Sequence, residues 1–152
     1  MSSGVSSGEA SGTGNSQITL ENLEYASKIS QLQSALNNGI LSVSQTSTLR
    51  SLLNTITDHL TEMDYSGVQR DLDGNPIPNG IGGFFDHIHE MQDSYRALIK
   101  AKRSIEGSLN NPNINPDVKA VLEDALKIAN AHIERIDNLF EPYGGIENWN
   151  RE

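Results

Sequence analysis

The chain of 152 residues contains no cysteine. That excludes a disulfide framework, a thiolate metal site and a cysteine nucleophile. It also lacks any apolar run near the ~18 residues that a membrane-spanning helix needs, so no membrane span is expected. The first residues lack the basic and apolar regions of a secretory signal peptide. Basic residues are scarce: 11 Lys and Arg stand against 20 Asp and Glu, for a net charge of −9. Such a balance argues against a broad electrostatic grip on nucleic acid. The length is that of one domain with a tail.

Residues 1–16, MSSGVSSGEASGTGNS, have almost no large hydrophobe and one charge. They cannot bury enough apolar surface to offset the entropy of ordering, and read as a flexible Gly/Ser linker. The linker suggests attachment to something larger, with a cloning remnant as the alternative reading. From Thr19 to Asn38 the apolar residues Leu20, Leu23, Ile29, Leu32 and Leu36 recur at helical spacing, and Asn37-Asn38-Gly39 is a stop signal. A second helix is predicted from Ser44 to Met63, with Leu49, Leu52, Leu53, Ile56, Leu60 and Met63 as its stripe. Together they make an N-terminal helical pair over 17–64.

Residues 64–83 hold five Gly and two Pro in twenty positions, which predicts a loop that no helix crosses. Asp73-Gly74, flanked by Val68, Leu72 and Ile77, suggests a small hairpin. Asp71, Asp73 and Asn75 resemble the start of a calcium loop, but Pro76 stands where such a loop needs Gly and no Glu closes it. A third helix is predicted from Phe84 to Leu109. Ile88, Met91, Tyr95, Leu98, Ile99, Ile105 and Leu109 fall on one face, with Asp86, His89, Asp93, Arg96, Lys100 and Arg103 opposite. The fourth begins at Asn115-Pro116-Asp117, a cap, a first-turn proline and an anion at the positive end of the dipole. Its stripe runs from Val118 to Phe140, and a tail follows over 143–152. The short connection makes helices three and four antiparallel over 84–142, with position i near 225 − i, so that His132 lies near the turn Asp86–Glu90. The fold class is all-α, a small helical bundle.

The concentrated chemistry is Asp86-His87-Ile88-His89-Glu90. Carboxylates beside imidazoles orient the rings for proton transfer near neutral pH. His87, at the border between the polar and apolar faces, is the better candidate. His89 reads as a surface partner of Asp93, and His132 on an apolar face reads first as a satisfied buried histidine. His59 lies away from the cluster. A metal set of His87, Glu90 and His132 lacks an i, i+4 histidine pair, so neither a metal nor another cofactor is expected. Arg96, Lys100, Lys102 and Arg103 sit within eight residues and balance Asp86, Glu90, Asp93 and Glu106. The rest of the chain carries 16 acids and 7 bases, which holds the whole −9. A net acidic chain thus presents one basic strip. It is either a solvated helix face or a phosphate-binding strip beside a proton-transfer site.

Gly82, Gly83, Asp86, His87, Glu90, Arg96, Leu98, Asn111, Pro112, Phe140 and Pro142 match in order and spacing a known pattern. Over residues 82–142 the chain resembles the polymorphic toxin type 28 domain, a C-terminal domain of bacterial competition toxins regarded as an RNase. Ala97 replaces the family's Gly, and Arg135 stands where the family carries an acid. The first two helices fall outside this stretch. The resemblance implies a secreted effector that cleaves RNA, with tRNA as one substrate, in the cytoplasm of a target bacterium. It also implies a cognate immunity protein, and a host carrier protein would relieve the repulsion between an acidic chain and RNA.

Metal-free RNA cleavage needs a base for the 2′-hydroxyl, an acid for the leaving oxygen and a cation for the phosphorane. The candidates are His87 with Asp86 or Glu90, and Arg96 on the phosphate, with Lys100, Arg103 and His132 as substrate-binding residues. The competing readings are a non-enzymatic helical interaction or secretion module, and an immunity or antitoxin protein.

Overall fold

A computed structural model describes residues 22–75 and 87–146. They form five α-helices and a closing 3-10 turn, with no strand among the described residues. The helices are α1 (Asn22–Asn38), α2 (Val43–His59), α3 (Glu62–Leu72), α4 (His87–Leu109) and α5 (Pro116–Phe140). The all-α bundle expected from the sequence is the fold. The expected linker over 1–16, the proposed Asp86, and Gly82 and Gly83 lie outside the described residues.

Local signals set most ends. Gly39 ends α1 with φ 77, a left-handed conformation that glycine adopts without a Cβ clash. Ser42 and Gln45 cap α2 reciprocally. Asn115 caps α5 by accepting from the N–H groups of Asp117 and Val118, with Pro116 at the first position, as expected. α4 runs unbroken through Ala97.

The stretch 44–72 corrects the sequence expectation. The helix predicted over Ser44–Met63 is two helices, because the chain turns at Leu60 (φ −128, ψ 45) and a second capping box restarts it. Thr61 and Asp64 exchange these bonds: Asp64 N–H donates to Thr61 Oγ1 at 3.2 Å, and Thr61 N–H donates to Asp64 Oδ2 at 2.9 Å. Met63 is then 80% exposed rather than part of the core stripe. The loop predicted from position 64 begins only after Leu72, since Tyr65, Val68 and Leu72 bury one face of α3. Gly67 costs that helix about 1 kcal/mol relative to alanine, and burial of the face outweighs it. The Asp73-Gly74 hairpin is likewise absent: Asp73 caps α3, and Gly74 turns the chain with φ 79.

α4 is the central element, packed on α5, α2 and α3, while α1 lies on α5 and α2. Leu49, Val68, Leu98, Ile136 and Phe140 are fully buried at its heart. α4 and α5 are antiparallel, as the short connection predicts. Their register departs from the expected one. Tyr95, expected opposite Asn130, donates its hydroxyl to Asp137 at 2.8 Å. His132 is about 140° around α5 from Asp137 at 100° per residue, so it faces α1 and α3 and not the start of α4.

Candidate functional site

His87 opens α4 directly against α3. Its backbone N–H donates to Asp71 Oδ2 at 3.0 Å, which places a carboxylate on the positive end of the α4 dipole. Its ring Nδ1 lies 3.7 Å from Asp71 Oδ1. The Asp71 side chain is wholly buried and that of His87 is 15% exposed. The ring packs on Gly67: a Cβ built there would lie 2.5–2.7 Å from three of its atoms. The glycine that reads as a helix breaker is thus the seat of the imidazole. An imidazole fixed this way, with a buried carboxylate beside it, is oriented for proton transfer and has a counter-charge for the cation that forms.

The carboxylate that the described residues bring to the His87 ring is that of Asp71, sixteen residues upstream; of the acids expected from the sequence, Asp86 lies outside the described residues. Glu90 is one turn beyond His87 and exposed. It lines a cleft of about 230 Å³ with Thr55, His59, Asp93, Ser94 and Ala97. This cleft brings in His59, which no local pattern connects with Glu90, because the two lie on helices joined only by tertiary packing. Asp93 also pairs with Arg96, Nη1 to Oδ1 at 3.3 Å. Beyond that pair, Arg96, Ile99, Lys100 and Arg103 line a second cleft, of about 340 Å³. The basic strip expected from the sequence thus adjoins the acidic cleft along one helix. Among the described residues no three His, Asp or Glu side chains converge as a metal site, so His87, Glu90 and His132 do not form the ligand set considered above.

His132 belongs elsewhere. Its Nε2 lies 2.6 Å from the Tyr25 hydroxyl and its Nδ1 2.7 Å from the Tyr65 hydroxyl. Arg135 forms a fork with Glu62, at 2.8 Å on each oxygen, and its guanidinium lies 3.7 Å over the Tyr65 ring. Arg135 thus joins α5 to α3. The Arg135 hydrogen bonds hold the Glu62 carboxyl below its usual range. Burial, and then the Arg135 charge, push His132 down to about 4. Burial pushes the Tyr25 phenol up to about 12 and that of Tyr65 upward as well.

A pH dependence follows. The unfolded chain protonates His132 near 6.5, the folded chain only near 4. Neutral His132 contributes stability that is present above pH 6.5 and lost as pH falls toward 4, about 3 kcal/mol in all. Urea unfolding between pH 6.5 and pH 5 should show a decline of about 2 kcal/mol that the His132→Gln variant lacks. An equal slope in both proteins would assign the decline to other groups.

The chain is similar to the tRNA nuclease CdiA of Escherichia coli O6:K15:H31 (strain 536 / UPEC), 35% identical over 104 residues. That stretch is 68% of this chain and 3% of the much longer relative. A match to the bacterial toxin 28 family covers residues 40–142. It reaches well upstream of residue 82, where the sequence resemblance began, and takes in α2 and α3, the helices that carry His59, Gly67 and Asp71. The chain belongs to the bacterial toxin 28 family.

Proposed function

We propose that this toxin domain is a ribonuclease that cleaves RNA, tRNA among its substrates, by acid–base chemistry at the start of α4. The observation that carries the reading is the His87 ring seated on Gly67 beside buried Asp71, on the helix that carries the Arg96, Lys100 and Arg103 cleft. His87 takes the proton of a 2′-hydroxyl, or returns one to the leaving 5′-oxygen, and Glu90 serves the opposite step. The 2′-oxygen bonds to phosphorus as the P–O5′ bond breaks, which leaves a 2′,3′-cyclic phosphate and a 5′-hydroxyl. Arg96, with Lys100 and Arg103, holds the phosphate and the charge that builds on it. Asp86 adjoins His87 in sequence and is proposed as a further group of this site.

The similarity to a protein named as a tRNA nuclease supports RNA as the substrate. The domain is proposed as a delivered effector that acts in the cytoplasm of a target bacterium, with a cognate immunity protein that neutralises it. No helix among the described residues is long and apolar enough to cross a membrane. With only three local bases at the phosphate cleft, affinity for RNA should be weak and salt-sensitive, which a host carrier protein would relieve by positioning the substrate.

The test is cleavage of purified total tRNA by the chain in EDTA, with analysis of the new ends. Fragments with 2′,3′-cyclic phosphate ends, together with growth arrest on expression in a bacterium, are expected. Intact tRNA with and without cell extract, or harmless expression, would overturn the reading in favour of a non-enzymatic interaction module.

A further inference from the structure

A cavity larger than either cleft along α4 lies away from His87. It opens between α1, the end of α2 and α5, holds about 560 Å³ and is walled by Ile29, Ile56 and Leu60. That volume falls in the range of small-molecule clefts. Its polar end is the cluster of Tyr25, His132, Arg135 and Glu62. Nothing in the chemistry assigned to His87 and Glu90 uses it.

The charge of this cavity restricts what it takes. Arg135 and Glu62 cancel each other through two bonds of 2.8 Å. His132 is neutral, as are both tyrosines. An ionic ligand would therefore give up its hydration for no net counter-charge.

The cavity does offer one adaptable hydrogen-bonding hydroxyl. Neutral His132 has one N–H and two tyrosine partners, so it donates to one and accepts from the other. When Nε2 carries the proton, Tyr25 accepts from it and its own O–H is left to donate. When Nδ1 carries the proton, Tyr25 donates to Nε2 and keeps lone pairs to accept. Tyr25 thus meets a donor or an acceptor without any change of charge. Its ring meets the imidazole at 65°, edge to face rather than stacked, whereas Arg135 lies over the Tyr65 ring. Tyr25 lies at the cavity partly exposed, and the mouth is flanked by exposed Ala26 and Ala131.

We infer that this cavity is a subsite for one nucleobase of the RNA substrate, held by stacking on Tyr25 and by a hydrogen bond to its hydroxyl. A nucleobase is neutral and planar, and carries donors and acceptors on its edge, which is what the cavity accommodates. The inference rests on the ribonuclease reading for its ligand class. His132 is here a positioning residue: it sets whether Tyr25 donates or accepts.

The experiment has two arms. In the first, adenosine, guanosine, cytidine and uridine are each titrated into the wild-type chain while the ring NMR signals of Tyr25 and His132 are followed. At least one nucleoside should shift them, and Ala131→Trp, which fills the mouth from an exposed helical position, should abolish the shift. In the second, Ala131→Trp and, from the opposite wall, Ala26→Trp should raise KM for tRNA about tenfold with kcat kept, the size expected for loss of one stacked base. Thermal unfolding identifies whichever variant folds, and that one decides.

The inference is overturned if no nucleoside shifts the signals, or if the shift persists in a folded plugged variant. An unchanged KM also overturns it, since the ligand would then be a free nucleoside and not a substrate base. So does a response of these signals to the immunity protein alone, which would make the cavity a protein-docking site. A wild-type chain that leaves tRNA intact refutes the ribonuclease reading instead, and the nucleoside titration still decides whether the cavity takes a base.

Discussion

Replacing His87 by alanine should lower RNA cleavage by about 10²–10⁴-fold, the usual worth of a positioned acid or base, and abolish growth inhibition. The fold should survive, because the ring is at the edge of the core and the hydrogen bond to Asp71 comes from the backbone N–H, which alanine keeps. Far-UV circular dichroism and urea unfolding measure the fold, and initial rates on tRNA measure the chemistry. Asp71→Asn keeps the shape of the orienting group and removes its charge. It should therefore fall between wild type and His87→Ala in rate. Undiminished cleavage by His87→Ala would move the catalytic assignment to the Glu90 and His59 cleft.

Gly67→Ala is the sharper test, because stability and activity should part company. Alanine in the middle of α3 favours the helix by about 1 kcal/mol. Its Cβ, however, would lie 2.5–2.7 Å from the His87 ring, so the ring must leave its seat beside Asp71. Stability should change by no more than about 1 kcal/mol, while cleavage falls by at least about 100-fold. A folded Gly67→Ala protein with wild-type rates would show that the ring position seen here is not the working one.

The same glycine shows how far the sequence could be read. Helical periodicity located α1, α4 and α5, because each buries a stripe long enough to dominate its neighbours. Gly67 concealed α3, since a glycine among prolines and further glycines signals a loop, and only the packed ring of His87 explains its place. The break at Leu60 was legible in Thr61 and Asp64, a capping pair, but the apolar stripe on either side masked it.

The candidate site divides in the same way. His87 and Glu90 were visible because they are neighbours on one turn, and Arg96, Lys100 and Arg103 because they share one helix face. Asp71 and His59 were not, since each reaches the site from another helix, and nothing local marks a residue whose partner lies sixteen or thirty-one positions away. His132 was rightly taken as a satisfied buried histidine on an apolar face, yet its partners Tyr25 and Tyr65 come from α1 and α3.

Residue types and their order were enough to set what this toxin domain excludes and its local grammar. It has no thiol, an acidic surface with one basic strip, helix caps, and a histidine–carboxylate turn. Helix packing was needed to bring Asp71 beside His87, to explain why α3 carries a glycine, and to open the cavity between α1, α2 and α5. Those are matters of which helix faces meet. The packing of α4 between α2, α3 and α5, and of α1 on α5 and α2, fixes them, through contacts that no single segment contains.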